Sequence, residues 1–289
     1  MCGILVAALA ACQGKAAPDL ATPETKESKK MSNSVSIKLG ESAAVFVKRY
    51  PGVNLVRQPA GLDFYSIDWD ERPRGVVTLE HGKSTIIIDD ALGVAMSEDQ
   101  AELKSEGFFE YTVFAGMSVA DPGLIAHDEA RLKTYAILRR IMDAGWLQVI
   151  ERSEPRLSGK ARQDYMFATS NLNGLDAKYV PTFEDWMRIP SRTPWSFYSD
   201  GAFLSVEFTR ERTLTDPNEP GSYLLAFKIK TATEYFRGYA GPDNRLRWKE
   251  LLPVELAKVA RLRADKEAEL KIKGVVIDES YQDPPPPAL

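Results

Sequence analysis

A chain of 289 residues with 44% hydrophobic and 27% charged side chains has the make-up of a globular protein able to bury a substantial core. A formal net charge of −4 leaves no cationic excess to displace counterions from phosphates, which argues against a nucleic-acid binder. No stretch reaches the roughly 18 apolar residues of a membrane span. No Gly-x-x-x-x-Gly-Lys-Ser/Thr or Gly-x-Gly-x-x-Gly phosphate cradle occurs, and no cofactor is expected.

The two cysteines, Cys2 and Cys12, lie in the N-terminal apolar run, and no thiol follows from Gln13 to Leu289. The body therefore has no disulfide framework, thiolate nucleophile or cysteine zinc site. Ile4 to Leu9 forms a short apolar region, and Leu9-Ala10-Ala11-Cys12 behind it resembles the lipobox of bacterial lipoproteins. That resemblance implies a signal peptide over 1–12, acylation of Cys12 and a membrane anchor. It also implies a periplasmic location, with Gln13 favouring the outer membrane over the inner. The run lacks the Lys or Arg that should open a signal peptide. The rival reading starts translation at Met31 and leaves the protein cytoplasmic. Residues 13–34, polar and without an aromatic residue, read as a disordered tether.

The body, 35–283, opens with a predicted helix from Glu41 to Tyr50, stopped by Pro51-Gly52. Strands are predicted over Val53 to Arg57, Leu62 to Trp69, Val76 to Glu80 and Ser84 to Asp89, the last two a hairpin around His81-Gly82-Lys83. Gly107 to Ala115 is a further strand. A helix follows from Asp121 and Pro122 to Ala144, then a strand from Leu147 to Glu151. From Ser153 to Pro194 turn residues dominate, and only Thr182 to Met187 reads as helix. Trp195 to Arg210 and Ser222 to Thr233 are strands, and a last helix runs from Pro253 to Lys273 with Gly274 behind it. Residues 284–289 form a proline-rich tail. The expected class is α+β, a mainly antiparallel sheet with flanking helices. The echo of Phe64-Tyr65-Ser66 in Phe197-Tyr198-Ser199 leaves room for two similar halves.

Catalytic inventory is thin. Gly116-Met117-Ser118-Val119-Ala120 approximates a hydrolase nucleophile elbow, with alanine in place of the last glycine. That fold takes its base from a late loop, yet His127 is the only histidine after Ser118. His127-Asp128-Glu129 does not supply three convergent ligands, so no metal site is expected. Asp89-Asp90 and Glu98-Asp99 leave an acid pair of the glycosidase type as a remote alternative. The segment from Trp186 to Tyr198 is rich in residue types that dominate protein interfaces, and Trp186, Arg188, Arg192, Trp195 and Tyr198 are the candidate partner contacts. The same aromatic residues would serve equally as core beneath a long loop.

Three blocks carry a resemblance: Asp128-Glu129-Ala130-Arg131-Leu132-Lys133-Thr134-Tyr135, Arg192-Thr193-Pro194-Trp195-Ser196-Phe197-Tyr198 and Gly241-Pro242-Asp243-Asn244-Arg245-Leu246-Arg247-Trp248. Together they resemble immunity proteins that protect bacteria from lipase effectors of the type VI secretion system. The resemblance implies a non-catalytic, lipid-anchored protein whose partner is a secreted phospholipase that it occludes. The competing readings are an envelope hydrolase and a structural or assembly lipoprotein.

Overall fold

The computed structural model describes residues 32–59, 61–69, 72–100, 106–118, 123–169 and 174–289. Among them, eleven strands form one sheet and six α-helices flank it, an α+β fold. Among the described strands the single parallel pair joins β1 (Ser34–Lys38) to β4 (Gly75–Glu80). Every other pair is antiparallel. From β4 the sheet continues through β5 (Ile86–Asp99), β6 (Glu110–Gly116), β11 (Gly221–Thr231), β10 (Ala202–Arg210) and β9 (Trp195–Ser199) to β8 (Leu147–Val149). Off this path, β2 (Asn54–Arg57) pairs with β3 (Leu62–Asp68), β3 with β5, and β7 (Leu124–Ile125) with the start of β11.

Alternation of side chains decides the two faces. Tyr65, Val94, Val113, Phe227 and Val206 turn into one large core. There they meet Phe46 of α1 (Ala43–Arg49), Leu138 of α2 (His127–Asp143), Met166 of α3 (Gly159–Thr169) and Trp186 of α4 (Phe183–Arg188). On the opposite face Phe203 and Val149 meet Phe236 of α5 (Ala232–Arg237) and Trp248 and Leu252 of α6 (Trp248–Ile272).

The structure departs from the sequence expectation at identifiable points. The predicted start of α2 at Asp121 and Pro122 lies outside the described residues, and the helix itself begins at His127, because Leu124 and Ile125 pair with β11. Trp195 to Arg210 is two strands, not one: Asp200 and Gly201 both have positive φ, 37° and 81°, the backbone a tight hairpin needs. Residues 159–169, expected to be irregular, are α3. The last helix begins at Trp248, five residues ahead of Pro253, because burial of Trp248 and Leu252 draws in an extra turn. The proline-rich tail is tied to the body at its base, where Arg152 donates to the Pro284 carbonyl.

Strand β5 also outruns its expected end at Asp89. Asp90 adopts φ 55° and the register slips around it, a bulge that bends the strand and lets it continue to Asp99. On one side Ile86–Ala91 pairs with β4 and Gly93–Asp99 with β3. On the other side β6 pairs only with Ala91–Ser97. The first residues of β5 thus have no described strand on that side.

Candidate functional site

The five candidate contact residues do not form a surface. Trp186 and Trp195 are 0% exposed, flanking Phe208 with ring centroids at 4.6 and 6.1 Å, and belong to the core. They are not available to a partner in the folded protein. Tyr198 is half-buried against Phe203, and its hydroxyl accepts from the Gly201 amide across the hairpin turn. Arg188 and Arg192 remain on the surface; Arg188 pairs with Asp185 at 3.1 Å and lies over the Phe167 ring. Cys12, the rest of the signal and residues 13–31 of the tether lie outside the described residues.

Both histidines are committed to the fold. His127, 1% exposed, has Nδ1 2.5 Å from the Tyr223 hydroxyl, which also accepts from Arg210 Nε at 3.0 Å and Trp186 Nε1 at 3.3 Å. Arg210 in turn donates to the carbonyls of Met187 and Trp186. Two donors occupy the Tyr223 oxygen, so its proton goes to Nδ1 and the imidazole is neutral. Burial holds the His127 pKa below the usual imidazole range, and the Arg210 charge lowers it further against the opposing pull of Asp216. Nε2 is buried and makes no hydrogen bond of normal geometry. Gly221 is required here, since a Cβ at that position would stand 2.4 Å from His127 Cε1. His81 places Nε2 2.8 Å from the Ser199 carbonyl and lies against Trp146. Among the described residues no three His, Cys, Asp or Glu side chains converge as metal ligands.

A slot of about 450 Å³ lies between the start of β5 and α2, a volume typical of binding sites. Its floor is apolar, from Ile86, Ile88, Ile141, Leu225 and Phe227. Its lips are charged, with Asp89 and Asp90 on the strand and Lys133 and Arg140 on the helix. At one end Lys133 donates to the Met117 carbonyl at 2.6 Å, and Gly116 lets Asp90 come within 2.8 Å of where its Cβ would be. At the other end Trp146 Nε1 donates to the Ser84 carbonyl at 2.8 Å. Asp90 divides the slot from a more polar cavity of about 340 Å³, where Ser118, Glu211 and Tyr223 contribute to the wall. Arg72 pairs with Asp90 at 3.4 Å across that cavity and donates to the Ser118 carbonyl.

Sequence reasoning missed this site. Its one signal was the β-branched run Ile86-Ile87-Ile88 ending in Asp89-Asp90, which reads as an ordinary strand end until the bulge is seen. No protein-family model, curated protein or solved structure matches the chain.

Proposed function

We propose that this protein is a non-catalytic binding protein, a lipid-anchored immunity protein of the bacterial envelope that occludes a secreted lipase. The observation that carries the reading is the commitment of both histidines. The chain has only two. His127 is buried neutral in the Tyr223 cluster and His81 sits on Ser199. The elbow-like Gly116-Met117-Ser118 turn is left without the imidazole of a Ser-His-Asp triad. The slot beside α2, with an apolar floor and charged lips, suits recognition rather than proton transfer. The lipid anchor at Cys12 would hold the body where a toxin delivered to the envelope acts.

The test mixes the purified full chain with the lipase encoded beside its gene and follows ester hydrolysis. Stoichiometric inhibition, with no turnover by the chain alone, is the expected result. Hydrolysis by the chain itself that Ser118→Ala abolishes would establish the rival hydrolase reading. Absence of both binding and inhibition would remove the immunity assignment.

A further inference from the structure

We infer that the slot between β5 and α2 receives an extended segment of the partner protein, which adds as a short strand to the edge of β5 that no described strand pairs. This rests on the protein-binding function proposed above and names the place and form of the contact.

Six consecutive residues, Thr85 to Asp90, line the slot. Side chains of a strand alternate between faces, so an unbroken run in one wall means that the backbone edge itself is the wall. On its far side that stretch is bonded to β4, while β6 has already left the sheet at Gly116. Ladder bonds in an antiparallel pair alternate, so every second N–H and C=O between Ile86 and Asp90 points into the slot. The β5 wall is about 17 Å long at about 3.4 Å per residue. Opposite it, Lys133, Ile137, Arg140 and Ala144 lie along one side of α2 over a similar length, about 17 Å at about 1.5 Å per residue.

The exposed backbone edge selects the occupant. An acyl chain would fill the apolar floor but strip water from the main-chain groups without replacing its hydrogen bonds, which is unfavourable. An extended peptide satisfies those groups and places alternate side chains on Ile88 and Phe227, the usual form of strand addition. Charge narrows the sequence. Arg140 and Asp89 are both exposed, neither side chain is paired with another described residue, and they stand on opposite lips. The complementary segment carries an acidic side chain towards α2 and a basic one towards β5.

The experiment measures hydrogen exchange on the full chain alone, with the co-encoded lipase, and with a synthetic alternating valine-threonine peptide bearing one Lys and one Glu. Protection of the Ile86–Asp90 amides by the lipase supports the inference. So does a loss of lipase affinity on the order of tenfold in Arg140→Glu, with Ile137→Trp as a space-filling block and thermal melts as the folding control. Lipase binding with those amides unchanged and Arg140→Glu neutral overturns the slot and leaves the immunity reading standing. Protection by the peptide when the lipase does not bind does the reverse. Protection by dodecanoate but by neither protein nor peptide overturns the inference in favour of an acyl ligand, and no protection by any probe overturns it outright.

Discussion

Tyr223 joins three side chains from distant parts of the chain: His127, Trp186 and Arg210. Removing its hydroxyl leaves three buried polar groups short of a partner at once. We expect Tyr223→Phe to lower stability by about 2–3 kcal/mol in urea unfolding, more than a single neutral hydrogen bond is worth. The same cluster sets an acid response. The folded His127 pKa lies below the unfolded value, so the unfolded chain binds the extra proton first. Stability is then full above about pH 6.5 and declines as pH falls below it, towards the folded pKa. Melting temperature should therefore drop between pH 7 and pH 5, and His127→Gln should flatten that dependence. An unchanged slope in the variant would show that the imidazole is not the group responsible.

Helix α6 shows why an element needs more than its own sequence. Only Trp248, Leu252 and Glu267 of its 25 residues are buried, so side-chain pairing must hold its far end. Glu267 accepts from Arg156 Nε at 2.9 Å, Nη2 at 2.7 Å and the Arg156 amide at 2.9 Å, a fork that ties α6 to the segment before α3. Arg263 adds bonds to Asp283 at 2.8 and 3.0 Å, which draw the C-terminal segment back over the helix. Hydrogen bonding to Arg156 holds the Glu267 carboxyl below the usual range, so this contribution is present above about pH 4.5 and is lost as pH falls through the lower folded value. Glu267→Gln should cost about 2 kcal/mol at neutral pH and remove part of the acid sensitivity below pH 4.5, read by guanidinium unfolding across pH. A variant as stable as the parent would leave α6 held by its apolar end alone. Neither pairing was legible in the sequence, since Arg156 and Asp283 both lie outside the helix. What could be read were the elements with local signals: β3, β4, β6, β11 and the core of α2. What could not were the features set by distant partners, namely the extra turn before Pro253, the extension of β5 past Asp90 and the slot that this extension creates. The Asp200-Gly201 turn was written in the sequence and passed over. Trp186 and Trp195 were singled out by residue type, but type alone does not separate an interface anchor from a core tryptophan. Their burial at Phe208 does.

Across the whole body, buried phenols make alkaline stability a probe of cooperativity. Burial is the first cause in each case. It pushes Tyr65 up to about 12, with the nearby Glu98 charge adding to the shift. Tyr111 and Tyr135 are driven higher in the same core, as are Tyr235 and Tyr239, which both donate to Glu151 on the other face. For each, the unfolded chain loses its proton near pH 10 while the folded chain keeps it. Stability is therefore intact below pH 10 and falls above it, by at most about 1.4 kcal/mol per pH unit per phenol. Five phenols acting together approach about 7 kcal/mol per unit, enough to exhaust an ordinary stability of about 5–15 kcal/mol within one or two units. Tyr65 on β3 and Tyr111 on β6 stand to one side of the β6–β11 seam, and Tyr235, stacked on Phe203 of β10, to the other. Strands β6 and β11 pair over seven residues, from Glu110 with Lys230 to Gly116 with Leu224. That continuous ladder leads us to expect a single cooperative unit despite the echo of Phe64-Tyr65-Ser66 in Phe197-Tyr198-Ser199. We expect tyrosinate absorbance and far-ultraviolet circular dichroism to change together in one steep transition above about pH 11. Two separated steps, with Tyr235 and Tyr239 ionising apart from Tyr65 and Tyr111, would show instead that the halves unfold independently across the β6–β11 seam.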